Sequence, residues 1–380
     1  MKSITNQPIA RPTYVEVDLD RLKTNYQAIK QAVGRRGIIP VVKANAYGHG
    51  LKEVARLFEA LRPPGLAVAF LEEGVAIREA GISVPVLVMG GLDHAQIDGF
   101  LDYNLTMTVS SLDSPVEIET AAARRERTVR LQVKVDTGMG RMGIRPEEAI
   151  QLFEAITASP FLEIVAVYSH FATADEPDRT QTEDQIQTFR EVVSYFRRAG
   201  LPTPTLHFAN SGAILQHSAS YFDQVRPGIM LYGVYPTEQV DKTVEIVPAL
   251  TWKSKVVLTK RQPAGCPVSY GATWAPDHDT RIATIPMGYG DGYPRLLSNR
   301  GQVLIRGSRY PIVGRVCMDQ FVVEIGPYTD VETGDEVVII GTQGEETITA
   351  DQVAGWARTI PYEILSGIGE RVPRRYTNQT

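Results

Sequence analysis

In "IIPVVKANAYGHG" a lysine follows directly on an apolar run. Residues 38–42 read as an inner strand of a parallel sheet, and Lys43 stands where that strand ends. Loops after strand ends are where parallel α/β folds build ligand sites, so an amine there either snorkels into solvent or is used chemically. In "VRLQVKVD", strand alternation sends Leu131, Val133 and Val135 one way and Gln132, Lys134 and Asp136 the other, toward the interior. A buried ammonium must be paired, neutral or modified, and a salt bridge to Asp136 or to an acid on a neighbouring strand is the plain structural solution for Lys134. "TGMGRMG" follows, with glycines that allow close backbone approach and Arg141, a planar fork suited to a carboxylate or phenolate. His170 closes "LEIVAVYSH", and His207 and Ser211 bracket "FAN". In "VRPGIMLYG", Arg226 precedes Gly228 and Ile229, whose main-chain NH groups suit a phosphate, with the Ser211 hydroxyl as a further donor. A lysine at a strand end, phosphate donors and arginines suit pyridoxal 5'-phosphate: an amine condenses with its aldehyde and its ring acts as an electron sink.

These residues need a frame that brings strand ends together. "IIPVVKA", "GLAVAF", "VPVLVMGG", "LTMTVSS", "VRLQVKVD", "LEIVAVYSH", "TLHFANS" and "DQVRPGIMLYG" are eight candidate strands. Between them run amphipathic segments such as Leu22, Tyr26, Ile29 and Val33 after a candidate N-cap at Asp20, and Ile186, Phe189, Val193 and Phe196. Eight strands alternating with helices predict a (β/α)8 barrel, an α/β fold of the TIM-barrel kind, over residues 1–245. From 246 to 380 the pattern becomes strands punctuated by Gly, Pro and Asp, with one helix in "ADQVAGWAR", which predicts a mainly β second domain. The segment 1–17 is a strand that could pack with this β domain instead of the barrel.

Composition excludes several classes of function. The net charge of −5, from 39 basic and 44 acidic residues without long single-sign blocks, argues against nucleic acid as a partner. No apolar run suggests a membrane span or signal peptide, which predicts a cytoplasmic protein. Two cysteines, Cys266 and Cys317, without a Cys/His cluster, argue against a zinc site and against a disulfide framework. No metal is expected.

Over nearly its whole length the chain resembles alanine racemase, a fold-type III pyridoxal phosphate family. Nine motifs carry the resemblance in family order: "VVKANAYGHG", "KVDTGMGRMG", "SHFATAD", "HFANS", "VRPGIMLYG", "VSYGATW", "IPMGYGDGYPR", "GRVCMDQ" and "RVPRRY". It implies that Lys43 holds the cofactor and serves as one catalytic base, with Tyr270 as the other on the opposite face of the substrate α-carbon. It implies that Tyr47, Ser211, Tyr362 and the backbone of Gly228 and Ile229 hold the phosphate. Arg226 would face the pyridine nitrogen, with His207 against it and His170 linking it to Tyr270. Arg141 would contact the cofactor phenolate and the substrate carboxylate, and Met318 and Tyr289 would line the substrate entrance. Lys134 matches a position that is often carbamylated in the family. Trp274 is the nearest departure, at a position where related sequences also carry other aromatics, and it puts none of these roles in doubt.

The implied activity is interconversion of L- and D-alanine by two bases, supplying D-alanine for peptidoglycan, in a homodimer whose active sites are shared between subunits. A serine or broader small-amino-acid racemase is the nearest alternative. A decarboxylase on the same plan would be expected to place a carboxylate where Arg226 stands and an "HxGS" motif where "HFANS" stands. A non-catalytic pyridoxal phosphate carrier would lack the β domain that holds Tyr270.

Overall fold

A computed structural model of the chain describes residues 11–378, so residues 1–10 of the predicted N-terminal strand lie outside the described residues. Two compact units emerge: Arg21–Val247, and a second that joins the residues up to Asp20 with those from Pro248 onward. Strand β1 (Tyr14–Asp18) belongs to the second unit.

The first unit carries β2 (Gly37–Ile38), β3 (Leu66–Val68), β4 (Val86–Val88), β5 (Met107–Val109), β6 (Val129–Lys134), β7 (Leu162–Tyr168), β8 (Thr205–His207) and β9 (Gln224–Val225). All pair in parallel, in the orders β2-β9-β8-β7-β6-β5 and β3-β4. Parallel bridges from Val41 to Ala67 and from Leu87 to Thr106 join the two sets and close the ring into an eight-stranded barrel. The helices between strands bury the faces expected of them: Val54 and Phe58 on Leu51–Ala60, and Ile186, Phe189, Val193 and Phe196 on Thr180–Arg198.

Three local expectations change. The helix Leu19–Val33 starts one residue before Asp20, which therefore lies in its first turn rather than at its N-cap. The run 38–42 is not one ladder, because Pro40 has no N–H to give and regular pairing resumes only as the Val41 bridge. The last predicted strand stops at Val225, since Pro227 and Gly228 turn the chain into a 3₁₀ segment over Ile229–Tyr232.

In the second unit, β10 (Leu250–Lys255), β11 (Leu258–Gln262), β12 (Thr280–Ile285), β13 (Gln302–Ile305), β14 (Ser308–Val313), β15 (Phe321–Glu324), β16 (Glu336–Gln343), β17 (Glu346–Ile348) and β18 (Arg374–Thr377) form a sheet with β1. Its order is β11-β12-β15-β14-β13-β16-β10-β1-β18, with β17 on β16. Only β1 and β18 pair in parallel. Beside the expected helix Ala350–Ala357 stands a second, Pro361–Ser366, too short to show a periodic pattern.

After β6 the chain makes a tight excursion. Val135 bridges Ile144, and the Asp136 carboxylate accepts the N–H groups of Gly138, Met139 and Gly140 at 2.9–3.0 Å. Gly143 closes the loop at φ +137°, where a Cβ would stand 2.5 Å from the Asp136 nitrogen. Gly143→Ala should therefore cost roughly 2–4 kcal/mol. Gly91→Ala, where a Cβ meets nothing within 4 Å, should change stability by less than about 0.5 kcal/mol. Urea midpoints at constant slope distinguish the two.

Candidate active site

Lys43 begins a backbone turn of unusual hand. Ala44, Asn45, Ala46 and Tyr47 all lie at φ between 51° and 53°, in the left-handed region, and Gly48 follows at φ 81°. For residues with a Cβ this costs roughly 1–2 kcal/mol each, so surrounding bonds must impose it. Ala46 and Gly48 donate to the carbonyls of Val42 and Ala44, and the Asn45 side chain accepts from Leu51 N at 2.8 Å. The turn leaves Lys43 half-buried and Tyr47 buried. Burial lowers the Lys43 pKa below the usual amine range, and Arg141 and then Arg226 add to the shift against an opposing pull from Glu73.

Arg226 is the most constrained of these side chains. Its Nη1 donates to His207 Nδ1 at 2.5 Å and to the His207 carbonyl at 3.0 Å. Its Nη2 donates to the carbonyls of Ser169 (2.6 Å) and Phe208 (3.2 Å), with His170 Nδ1 at 3.4 Å. Since a guanidinium can only donate, His207 Nδ1 must accept, its proton sits on Nε2, and Nε2 donates to Gln132 Oε1 at 2.8 Å. Burial, then the Arg226 charge, holds both histidines well below the usual imidazole pKa, so they are neutral. Burial brings Arg226 itself down to about 10, which leaves it cationic at neutral pH.

Lys134 is only 6% exposed. No carboxylate of the described residues forms an ion pair with it. Asp136 is committed to three backbone N–H groups instead, so the expected salt bridge between them is not made. Burial first, then Arg226 and Arg141, push the Lys134 pKa down to about 8. The Tyr168 ring lies beneath both cations, 5.6 Å from Lys134 Nζ and 5.0 Å from the Arg226 guanidinium carbon, and stacks on His207. Thr108 fixes the Tyr168 hydroxyl at 2.7 Å.

The donor set suits pyridoxal phosphate. Ser211 Oγ accepts from Gly228 N at 3.0 Å, and a Cβ on Gly228 would fall 2.4 Å from the Tyr47 hydroxyl oxygen. Glycine at 228 thus lets the Tyr47 and Ser211 hydroxyls both stand against its backbone, a grouping that suits a phosphate. Nε of Arg226 has no partner among the described residues, which leaves an N–H to offer a ring nitrogen. The exposed Arg141 completes a group of four cations with Lys43, Lys134 and Arg226, a field that favours an anionic ligand.

The remaining site residues expected from the sequence lie in the sheet unit. Tyr270 is 72% exposed, and Tyr289 and Met318 are exposed as well. The last two are brought together, because Tyr289 N and Gly290 N donate to the carbonyls of Cys317 and Met318. Ser269, before Tyr270, has φ 64° and ψ −175°, and its hydroxyl donates to the Arg315 carbonyl at 2.6 Å. Tyr362 is on the helix Pro361–Ser366.

Several supporting residues are not apparent from sequence. Glu73, Gln185, Thr108 and Tyr168 each hold a site residue or its loop. Gln185 Oε1 accepts from Ala172 N, and its Nε2 donates to the His170 carbonyl and the Thr137 hydroxyl. Tyr168 does carry a local signal, because alternation puts it with Ala166 on one face of β7, whose last residue it is.

Fold and site together define an eight-stranded α/β barrel whose strand ends gather lysines, arginines and hydroxyls suited to a phosphorylated aldehyde cofactor. Residues 17–236 match the family model "Alanine racemase, N-terminal domain", and residues 249–376 match "Alanine racemase, C-terminal domain". An alanine racemase of Halothermothrix orenii is 43% identical over 375 residues, 98% of this chain and 99% of its own. The crystal structure of alanine racemase from D-cycloserine-producing Streptomyces lavendulae superposes with a TM-score of 0.93 at 36% identity, covering 98% of each chain. That of Bartonella henselae, with covalently bound pyridoxal phosphate, gives 0.85 at 30% identity, over 97% of this chain and 100% of that one. The chain belongs to the alanine racemase family of pyridoxal-phosphate-dependent isomerases.

The Lys134 environment generates a pH prediction for the cofactor-free protein. Its pKa is about 8 folded, against an amine value near 10.5 unfolded. Below pH 8 both states carry the proton and the folded state bears the full penalty, which fades as pH rises from about 8 toward 10.5. Lys134→Met should therefore stabilise the apoprotein at pH 7 by on the order of 2–3 kcal/mol, an advantage that shrinks by pH 10. Urea unfolding at both pH values measures it.

Proposed function

We propose that the protein interconverts L- and D-alanine, supplying D-alanine for peptidoglycan in the cytoplasm. The observation that carries this reading is the barrel-end cluster of Lys43, Lys134, Arg141 and Arg226 beside the Tyr47–Ser211–Gly228 cradle. Pyridoxal phosphate, when bound, supplies an electron sink for the electrons left on the substrate α-carbon after deprotonation.

The chain's own residues do the rest. Lys43, its amine pKa lowered, takes the α-proton from D-alanine on one face, and Tyr270 takes it from L-alanine on the other. Tyr47, Ser211 and the backbone of Gly228 and Ile229 hold the phosphate. Arg141 binds the substrate carboxylate, aided by the Met318 backbone N–H, and Tyr289 narrows the entrance. Arg226 donates a hydrogen bond to the ring nitrogen and keeps its proton. That limits electron withdrawal to what racemisation needs and disfavours transamination. Lys134, with a pKa of about 8, has the neutral fraction that reaction with carbon dioxide requires. Its carbamate, formed with release of a proton, would turn a buried cation into an anion facing Arg141.

Optical rotation of D-alanine solutions tests the activity, and a panel including serine tests its breadth. Lys43→Ala should abolish racemisation and covalent cofactor together. Tyr270→Ala should retain slow exchange of the α-hydrogen of D-alanine with solvent deuterium while exchange from L-alanine falls much further. Equal losses for both enantiomers would remove the two-base assignment.

The exposure of Tyr270, Tyr289 and Met318 on the sheet unit supports a homodimer in which these residues complete the partner's site. Mixed Lys43→Ala and Tyr270→Ala chains, each inactive alone, should recover up to about a quarter of wild-type activity after statistical exchange, since half the dimers then carry one intact site. Heterodimers verified by mass spectrometry that stay inactive would count against shared sites.

A further inference from the structure

The left-handed turn after Lys43 has an external anchor. Glu73, half-buried near the start of the helix Leu71–Glu79, splits its carboxylate between two strand ends. Oε2 accepts from Ala69 N at 2.8 Å and Phe70 N at 3.3 Å, as an acidic residue serving its own helix start would. Oε1 instead accepts from Ala44 N at 2.6 Å, the first residue of the strained turn. A capping residue has no need of that second bond.

We propose that Glu73 is a positioning residue for cofactor capture, fixing the Ala44–Tyr47 turn so that Lys43 and the Tyr47 hydroxyl are presented together. The inference rests on the functional reading above. Tyr47 follows Ala44 by three residues within one rigid turn, and its hydroxyl packs against Gly228 in the phosphate cradle. One carboxylate thus governs both the covalent and the phosphate ends of the site.

Its charge acts in the same place. Lys43 is faced by Arg141 from the loop after β6, by Arg226 after β9, by Lys134 at the end of β6, and by Glu73 after β3. Burial and the arginines lower the Lys43 pKa, and Glu73 alone among these groups raises it. Removing the anion lowers the pKa further, so neutral amine appears at lower pH.

Glu73→Ala and Glu73→Gln apoproteins are titrated with pyridoxal 5'-phosphate, following the visible band of the lysine-linked cofactor. Borohydride trapping with peptide mass spectrometry identifies the lysine. Glu73→Ala should weaken binding by roughly tenfold or more. Glu73→Gln, which keeps one carbonyl for Ala44, should weaken it less. In both, the pH dependence of the capture rate should move to lower pH. Wild-type binding and pH dependence in both variants would overturn the inference. So would a Glu73→Gln protein that loses only thermal stability, the result expected of a helix start alone. If Glu73→Ala does not fold, Glu73→Gln decides by the same measures. Failure of the wild type to trap cofactor on Lys43 would instead sink the functional reading. Wild-type trapping with indifferent Glu73 variants would remove only the role of Glu73.

Discussion

Positive charge gathered at the end of a parallel barrel, which the Glu73 and Asp136 carboxylates only partly oppose, is the constraint on which this structure turns. Lys43, Lys134, Arg141 and Arg226 influence one another, and burial deepens the cost. Such an arrangement is unfavourable in an empty fold and favourable around a phosphate and a phenolate. The surroundings are arranged accordingly. Arg226 is held by backbone carbonyls and a neutral imidazole, and Asp136 is diverted into the backbone of its own loop rather than left to neutralise Lys134. The folded protein therefore carries an electrostatic cost that an anionic ligand at this end would offset.

Backbone geometry delivers the same groups. The closed ring places strand ends side by side, and the turns that follow β2, β6 and β9 each depart from ordinary conformations: four left-handed residues after Lys43, the Gly143 pinch, and the break at Pro227–Gly228. Each departure lies beside one of the gathered polar residues: Lys43 before the first, Arg141 within the second and Arg226 before the third.

Much of this was legible from residue types. The eight strands, the switch to a β pattern near residue 246, and the interior face of Gln132 and Lys134 followed from alternation and periodicity, which reflect burial. The short ladder at β2, the 3₁₀ turn at Ile229–Tyr232 and the helix Pro361–Ser366 did not, because each covers too few residues for a period to register. Glu73 was invisible for another reason. In "FLEEGVAIRE" it reads as an ordinary acidic residue in a first helical turn, and its partner Ala44 lies 29 residues away in sequence. Bonds between a side chain and a distant backbone nitrogen leave no local pattern.

The order Arg226, His207, Gln132 runs from the barrel end into its interior as a one-way chain of donors, and a guanidinium at its head permits only one direction. A wire that conducts protons must be able to reverse its bonds after each passage. This one cannot, so no proton passes inward from Arg226 through His207 to Gln132. Arg226 is thereby a fixed positive charge at the barrel end, cut off from proton exchange with the interior along this chain.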